Sequence, residues 1–192
     1  MLASHFHPDH FNKEVLQWRE QRPDIIYIFS KDILRHRRAQ KEDAVWLKKG
    51  EEYKDETLSV RAFGSTDVGV SFLLQAGGKK IFHAGDLNNW HWMDESTEAE
   101  WKGAEKNFLH ELDDLYAYTP EVDVAMFPVD PRLGKEYMRG AGQFVTKIKT
   151  HIFVPMHFTP EYAKANAFRD FAEAHGVRFV SLTHRGQKIE IE

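Results

Sequence analysis

The segment Ser4-His5-Phe6-His7-Pro8-Asp9-His10 places three histidines and an aspartate within six consecutive positions. Neutral imidazole and carboxylate groups are the usual protein ligands for zinc and for harder first-row metal ions. Side chains repeat every two residues in an extended segment, so His5 and His7 are predicted to point the same way, with Asp9 continuing their row. His10 then falls on the other side, where it could bind a second ion beside the first.

A histidine-rich segment near the start of a chain also has a simpler interpretation, because solvated tails and purification tags contain many histidines. Two features of this sequence speak against that interpretation. Phe6, Pro8 and Asp9 interrupt the histidines, and a short helix is predicted directly afterwards, over residues 12–19. Pro8 also stiffens the loop and removes a competing backbone donor. We therefore interpret the segment as a metal-binding loop.

The pattern resembles the HxHxDH motif of the metallo-β-lactamase superfamily and matches it at every fixed position. Two later segments agree with that family in order and spacing. Ile81-Phe82-His83-Ala84-Gly85-Asp86 resembles its strand that ends in Gly-Asp, and Phe153-Val154-Pro155-Met156-His157-Phe158 resembles its final strand, which ends in a ligand histidine. The resemblance spans nearly the whole chain and implies one domain, residues 1–192. The implied fold class is α/β, an αββα sandwich of two mixed sheets flanked by helices.

Six residues are implied by this resemblance as metal ligands: His5, His7, Asp9, His10, Asp86 and His157. The first two would hold one ion, Asp9, His10 and His157 would hold the other, and Asp86 would bridge them. The implied cofactors are one or two divalent transition-metal ions. Zinc is the expected ion, with manganese or iron as alternatives. The implied activity is metal-assisted hydrolysis of an ester, lactone or phosphoester-type substrate, in which a bound water loses a proton to become the nucleophile. Asp9 would orient that nucleophile and is the candidate catalytic residue.

The first ion site departs from the family pattern, which usually supplies a further histidine in a Gly-His segment before the hairpin. Ser65 occupies that place here, and no histidine lies between His36 and His83. Asp67 could compensate, although carboxylates are also common in turns. A non-catalytic or degenerate metal-binding protein of the same fold is therefore the alternative function. A di-iron redox protein of this fold is disfavoured, because that group tends to carry glutamate where His7 stands.

Members of the family usually carry β-hairpins before HxHxDH, whereas this motif begins at residue 5. We therefore expect an N-terminally shortened sandwich, in which either upstream strands are missing or the domain tolerates an open sheet edge. An open edge can pair with a second chain, so a homodimer is an alternative to a monomer.

Four further residues are candidates for substrate binding: Asn88, Trp90, His91 and Arg132. The first three follow Asp86 in a loop expected to lie over the metals, although a surface turn pinned by its tryptophans is an equal alternative. Arg132, with Asp130, follows a buried strand and is expected near the site. His83 is predicted either to support the site or to be a partly buried strand histidine. The expected partner is a small-molecule substrate.

Alternating strands and helices must position these residues, and that order predicts mixed sheets covered by helices. Strands are predicted over residues 25–29, 58–63, 122–129, 152–155, 177–182 and 188–191, and Gly77-Gly78 predicts a hairpin between residues 68–74 and 80–83. Helices are predicted from Ser30 as N-cap to about residue 38, and over residues 98–116, 137–149 and 165–175.

Composition restricts the class of protein. The chain has 192 residues, of which 42% are hydrophobic and 29% charged, a balance typical of a globular domain that buries its own core. It has no cysteine, which excludes disulfides, thiolate metal sites and cysteine nucleophiles. A net charge of -4 without a basic block disfavours nucleic acid as a partner. We see no run of about 18 apolar residues and no signal peptide, and so expect a cytoplasmic protein without a membrane partner.

Overall fold

Seven strands form the larger sheet in the computed structural model, which describes residues 1–190. Their order across the sheet is β10 (Arg178–Phe179), β9 (Lys149–Met156), β8 (Glu121–Pro128), β7 (Lys79–His83), β6 (Ser71–Ala76), β5 (Leu58–Phe63) and β4 (Glu52–Lys54). The strands from β4 to β7 pair antiparallel and those from β7 to β10 pair parallel, so this sheet is mixed, as expected. Gly77 and Gly78 have φ of 55° and 74° and close the predicted hairpin between β6 and β7.

The central strands carry apolar side chains on both faces because β7, β8 and β9 are covered from both sides. Phe82 aligns with Ala125 and Phe153 across the three strands, and these side chains are fully buried on one face. The alternate residues, Ile81 and its registered neighbours on β8 and β9, face the opposite side. In this register the carboxyl ends of β7, β8 and β9 lie at the same edge of the sheet.

Helices α2 (Glu98–Tyr118), α3 (Arg139–Lys147) and α5 (Arg169–Ala174) cover the face that carries Phe82. Thr97 and Glu100 form a capping box at the start of α2. The buried residues of α2 are Phe108, Leu112 and Leu115, the spacing of one helix face. Burying each of these side chains contributes about 1.5–3 kcal/mol. Within residues 1–190, no helix combines the length and apolar character needed to cross a lipid bilayer.

The smaller sheet consists of β1 (Leu2–Ala3), β2 (Ile28–Ser30) and β3 (Val45–Leu47) and is parallel throughout, where a mixed sheet was expected. Ile28 and Leu47 pack against Val60 and Phe72 of the larger sheet. On the outer side, α1 (Lys31–Arg35) begins at Ser30, whose hydroxyl accepts from the backbone N–H of Asp32, as the sequence predicted. The layers are therefore helix, sheet, sheet and helix.

Three predicted elements near the C-terminus differ from those in the structure. The helix predicted over residues 165–175 is divided into α4 (Tyr162–Asn166) and α5, with i→i+3 bonds from the N–H groups of Ala167 and Phe168 at the break. The strand predicted over residues 177–182 is reduced to β10, because the Asn166 side chain hydrogen-bonds both backbone groups of Leu182 and takes them from the sheet. Residues 188–190 form no strand, and residue 191 lies outside the described residues.

The helix predicted over residues 12–19 is a 3₁₀ helix, Lys13–Glu20.

Candidate metal centre

Four chain segments deliver their side chains to one place, the carboxyl-terminal edge of the parallel strands. Asp86, Asp130 and His157 follow β7, β8 and β9 by one to three residues. The HxHxDH loop reaches the same edge from the smaller sheet, because β1 ends at Ala3 and the Ser4 carbonyl accepts from Val70 N–H at 3.0 Å. The fold thus explains why His5 and Asp86, and His7 and His157, become neighbours although they are far apart in sequence.

The first ligand group consists of His5, His7 and Asp86. His5 is fully buried, and its Nε2 lies 3.0 Å from Nδ1 of His7 and 3.2 Å from Oδ2 of Asp86. One donor atom from each residue lies within 4.8 Å of the others, so a single ion could contact all three.

The second ligand group consists of Asp9, His10 and His157, with the same spacing of donor atoms. The other oxygen of Asp86, Oδ1, faces Nε2 of His10 at 3.1 Å and Nε2 of His157 at 3.4 Å. Oδ1 is buried and has no hydrogen-bond partner within the described residues, even though two ring nitrogens face it. A buried carboxylate oxygen that has no hydrogen-bond donor lowers the stability of the folded protein when no ion is bound. A divalent cation between oxygen and imidazole would satisfy it, so the donor set fits two ions that share Asp86.

The loop itself differs from the predicted extended row. His5 and His7 do point toward a common centre, but the backbone then turns, and His10 N–H and Phe11 N–H both donate to the His7 carbonyl at 3.0 and 2.8 Å. The expectation that Asp9 continues the row of His5 and His7 is therefore wrong. The turn at Pro8 brings Asp9 beside His10, with Asp9 Oδ2 at 3.5 Å from His10 Nε2.

Two side chains outside the ligand groups fix the orientation of the histidines. The Ser4 hydroxyl lies 3.0 Å from Nδ1 of His5 and 3.4 Å from Nδ1 of His10, one histidine from each group. Asp130 Oδ2 lies 3.0 Å from Nδ1 of His157. A partner at Nδ1 holds the ring so that Nε2 is the atom presented to a metal. Sequence reasoning gave Ser4 no role and placed Asp130 only near the site, since neither pairing is visible without the fold.

Asp130 is a buried carboxylate with two partners. Burial alone would raise its pKa, but the hydrogen bonds with His157 and Arg132 outweigh burial and lower the pKa to about 2. Arg132 donates to Asp130 through Nε at 3.0 Å and Nη2 at 2.6 Å, a two-point geometry that fixes the guanidinium plane. For His157, burial acts to lower the pKa, yet the bond to Asp130 and the charge of Asp86 raise it.

Two glycines allow the HxHxDH loop to approach the larger sheet. A Cβ at Gly69 would lie 2.1 Å from the Ser4 carbonyl oxygen and 2.5 Å from Cβ of His5. A Cβ at Gly85 would lie 2.9 Å from both Cβ of Ser4 and the carbonyl oxygen of Val70. Both glycines also have positive φ, of 76° and 55°. The glycine of the Gly-Asp pair is thus needed for contact between the loop and the sheet.

The structure supplies no fourth protein ligand to the first group among residues 1–190. Thr66 and Asp67 line the cavity in front of the centre, but Asp67 is exposed and belongs to neither ligand group. Ser65 accepts from the backbone N–H of Asp67 at 3.4 Å, within its own turn. The first group therefore has fewer protein donors than the resemblance to the HxHxDH pattern implies.

Of the four predicted substrate-binding residues, Trp90 and Arg132 line this cavity, whose volume is about 370 Å³. Asn88 and His91 do not line the cavity; both are buried, and both make hydrogen bonds within the protein. Asn88 Oδ1 accepts from Asn89 N–H, and the Asn88 backbone N–H donates to Thr66 Oγ1.

His91 uses both ring nitrogens within the protein, Nε2 at 3.1 Å from the Glu136 carbonyl oxygen and Nδ1 as acceptor from Met93 N–H. His83 is not part of either ligand group. Its Nδ1 accepts from Gly85 N–H at 3.0 Å, so it shapes the turn that leads to Asp86, and burial lowers its pKa.

Comparison with known proteins finds similarity in structure and not in sequence. No protein-family model matches the chain, and a search of curated proteins also returns no match. Among solved structures, Igni18, a metallo hydrolase from the archaeon Ignicoccus hospitalis, superposes with a TM-score of 0.63 at 17% identity, covering 94% of this chain and 74% of Igni18. YhfI from Bacillus subtilis, a metallo-β-lactamase fold protein, gives 0.59 at 10% identity, covering 93% and 72%.

The diiron β-hydroxylase CmlA from Streptomyces venezuelae also matches, with a TM-score of 0.58 at 14% identity, covering 93% of this chain and 42% of CmlA. Proteins of one architecture can thus carry different chemistry. At these identities the matches establish the architecture, which agrees with the four layers described above. The chain has the metallo-β-lactamase fold.

Proposed function

We propose that this protein is a metal-dependent hydrolase that acts on a small ester, lactone or phosphoester-type substrate. One observation carries the proposal. Two groups of candidate histidine and aspartate ligands meet at the two oxygens of Asp86. Asp86 lines a cavity of about 370 Å³, which is large enough for a small molecule. A purely structural metal site would be closed rather than open to a cavity.

His5 and His7 would hold one cation, Asp9, His10 and His157 the other, and Asp86 both. Divalent cations there would supply an acidified water at neutral pH and would polarise the bond under attack. Zinc suits this set of imidazole and carboxylate donors best, and manganese or iron would also fit it.

Asp9 is the candidate catalytic residue. Its side chain is 71% exposed and lines the cavity, and its carboxylate can accept a hydrogen bond from the attacking water and so orient it. Arg132 also lines the cavity and would stabilise negative charge that develops on the substrate. The neighbouring Asp130 holds the guanidinium in one plane, so this stabilisation would need little rearrangement.

The test is turnover that depends on metal. Protein stripped with a chelator and reloaded with zinc or manganese is assayed on a generic aryl ester, a lactone and a phosphodiester. We expect hydrolysis of at least one class, its loss on chelation and its recovery on reloading. Asp9→Asn should lower kcat by about 100-fold or more, the usual contribution of a positioned acid–base group.

Asp24→Asn provides the matched control, because Asp24 is an exposed aspartate paired with Arg22 and does not line the cavity. It should keep parental activity. Metal retention without turnover on any of the three classes would contradict the proposal and favour a metal-binding protein without catalysis. The shortage of donors in the first ligand group is the feature that would account for that result.

A further inference from the structure

We propose that Trp92, together with Trp90, forms an aromatic wall that selects the substrate, and that the substrate is a small anion carrying an aromatic ring. This inference rests on the proposed function, because it assigns a substrate class to the same cavity. Neither the ligand motif nor the comparisons point to Trp92. The tryptophan wall, defined as Trp90 and Trp92, contributes the only aromatic carbon surface among the described cavity residues apart from the imidazoles of His7 and His157.

The tryptophan wall lies directly beside the candidate metal centre. The indole N–H of Trp90 donates to the backbone carbonyl of Asp86 at 2.8 Å, and its ring packs edge to face against His157 with centroids 5.4 Å apart. Trp92 also lines the cavity and stacks with Trp90, with 16° between the two ring planes and 6.4 Å between their centroids. A flat group attached to the scissile bond would therefore meet indole surface next to the reacting position.

Trp92 has a backbone conformation that is costly for a tryptophan. Its φ is 44°, in the left-handed region that non-glycine residues rarely adopt. The carbonyl of Trp92 is held there by the N–H groups of Glu95 and Ser96, at 2.9 and 2.8 Å. Strain of this kind persists where the surrounding structure fixes it, and it is concentrated at ligand-binding positions.

The loop of the tryptophan wall is also joined to the turn that carries Arg132. His91 contacts the Glu136 carbonyl, and the Asp94 carboxylate accepts from Lys135 N–H at 3.3 Å. Gly134, with φ of 80°, makes this contact feasible, since a Cβ there would lie 2.1 Å from Asp94 Oδ2. The tryptophan wall and Arg132 are therefore held at a fixed separation, as the recognition of one small molecule requires.

Arg132 supplies the preference for an anion. Asp130 accepts from Nε and Nη2 of the Arg132 guanidinium. The Arg132 side chain is nevertheless 54% exposed and lines the cavity, so the rest of its guanidinium group is accessible to a ligand. Arginine fits carboxylate and phosphate groups especially well. An aromatic ring on the tryptophan wall and an anionic group at Arg132 together describe an anionic aryl ester or aryl phosphoester.

The test compares two inert anions on zinc-loaded protein, phenylphosphonate and methylphosphonate, by titration calorimetry. We expect phenylphosphonate to bind about tenfold more tightly, which corresponds to about 1.4 kcal/mol from stacking and apolar contact. Trp92→Leu should remove most of that preference and leave methylphosphonate affinity within about twofold. Arg132→Gln should weaken both ligands. Trp18→Leu is the matched control, since Trp18 is exposed on the 3₁₀ helix and does not line the cavity.

Equal affinity of the parent protein for the two phosphonates would overturn the inference, and this comparison needs no variant to fold. The inference would also be overturned if Trp18→Leu lost the preference for phenylphosphonate to the same extent as Trp92→Leu. The two proposals fail separately. Metal-dependent turnover without a preference for phenylphosphonate would contradict only the role of the tryptophan wall. A preference for phenylphosphonate without turnover on any substrate class would contradict only the proposed hydrolase function.

Discussion

Replacing Asp130 by asparagine should weaken zinc binding through His157 and destabilise the metal-free protein. The carboxylate is fully buried, bonded to Nδ1 of His157 at 3.0 Å and to two nitrogens of Arg132. An asparagine has nearly the same shape but carries no charge and only one acceptor atom. The variant therefore removes the electrostatic interaction while leaving little empty space.

The size of the effect on stability follows from the pKa of Asp130, which is lowered from 3.8 to about 2. Each pKa unit corresponds to about 1.4 kcal/mol, so the ionised carboxylate stabilises the folded protein by about 2 kcal/mol. Because the folded pKa lies below the unfolded one, this stabilisation is present above about pH 4 and is lost as the pH falls toward 2. The difference between parent and Asp130→Asn in urea unfolding should be full at pH 7 and shrink below pH 4.

The effect on metal binding should be larger than the effect on folding. Loss of a carboxylate that orients a ligand histidine typically costs about 10 to 100-fold in affinity. Competition with a chromogenic chelator at pH 7 measures this directly. Asp123→Asn is the matched control, since Asp123 lies on β8, the strand that Asp130 follows, and accepts from Lys80 N–H at 2.8 Å, away from the centre. Parental zinc affinity in Asp130→Asn, or an equal loss in Asp123→Asn, would refute the orienting role of Asp130.

Two further predictions concern the first ligand group. Asp32 Oδ2 accepts from Phe6 N–H at 2.9 Å, between His5 and His7, so Asp32→Ala should weaken zinc binding by about tenfold in the same chelator competition, and Asp32→Asn, which keeps an acceptor, should lose much less. Equal losses in the two variants would contradict this reasoning. Ser65→His should strengthen the weaker of two zinc-binding steps in a calorimetric titration, because it places an imidazole next to Thr66 and Asp67, which line the cavity. An unchanged weaker step would show that residue 65 cannot reach the ion.

The ligand residues could be selected from the sequence because metal ligation leaves a local signature. The spacing within the HxHxDH loop singled out four residues, and the strand ends at Asp86 and His157 followed from the resemblance. The structure brings all six together in two groups. Their roles as ligands remain predictions that the titrations described here address.

The surroundings of the site could not be predicted in the same way, because burial and pairing arise from distant segments. Asn88 and His91 follow Asp86 directly and were expected to face the substrate, yet Asn88 packs against Gly140 and His91 reaches Glu136. Gly140 lies on α3, and no local pattern around residue 88 reports its approach. Strands of two or three residues carry too little alternation to be recognised, so β1 and β3 of the smaller sheet were missed, whereas the strand predicted over residues 25–29 overlaps β2.

A zinc titration of chelator-stripped protein, carried out in parallel on the parent, Asp86→Ala and His83→Ala, tests most directly whether Asp86 joins two metal-binding groups. Asp86 faces both ligand groups, whereas His83 belongs to neither and only accepts from Gly85 N–H. We expect two separated binding steps in the parent, both strongly weakened in Asp86→Ala and both largely kept in His83→Ala. A parent protein that retains no zinc, or equal losses in the two variants, would contradict this expectation.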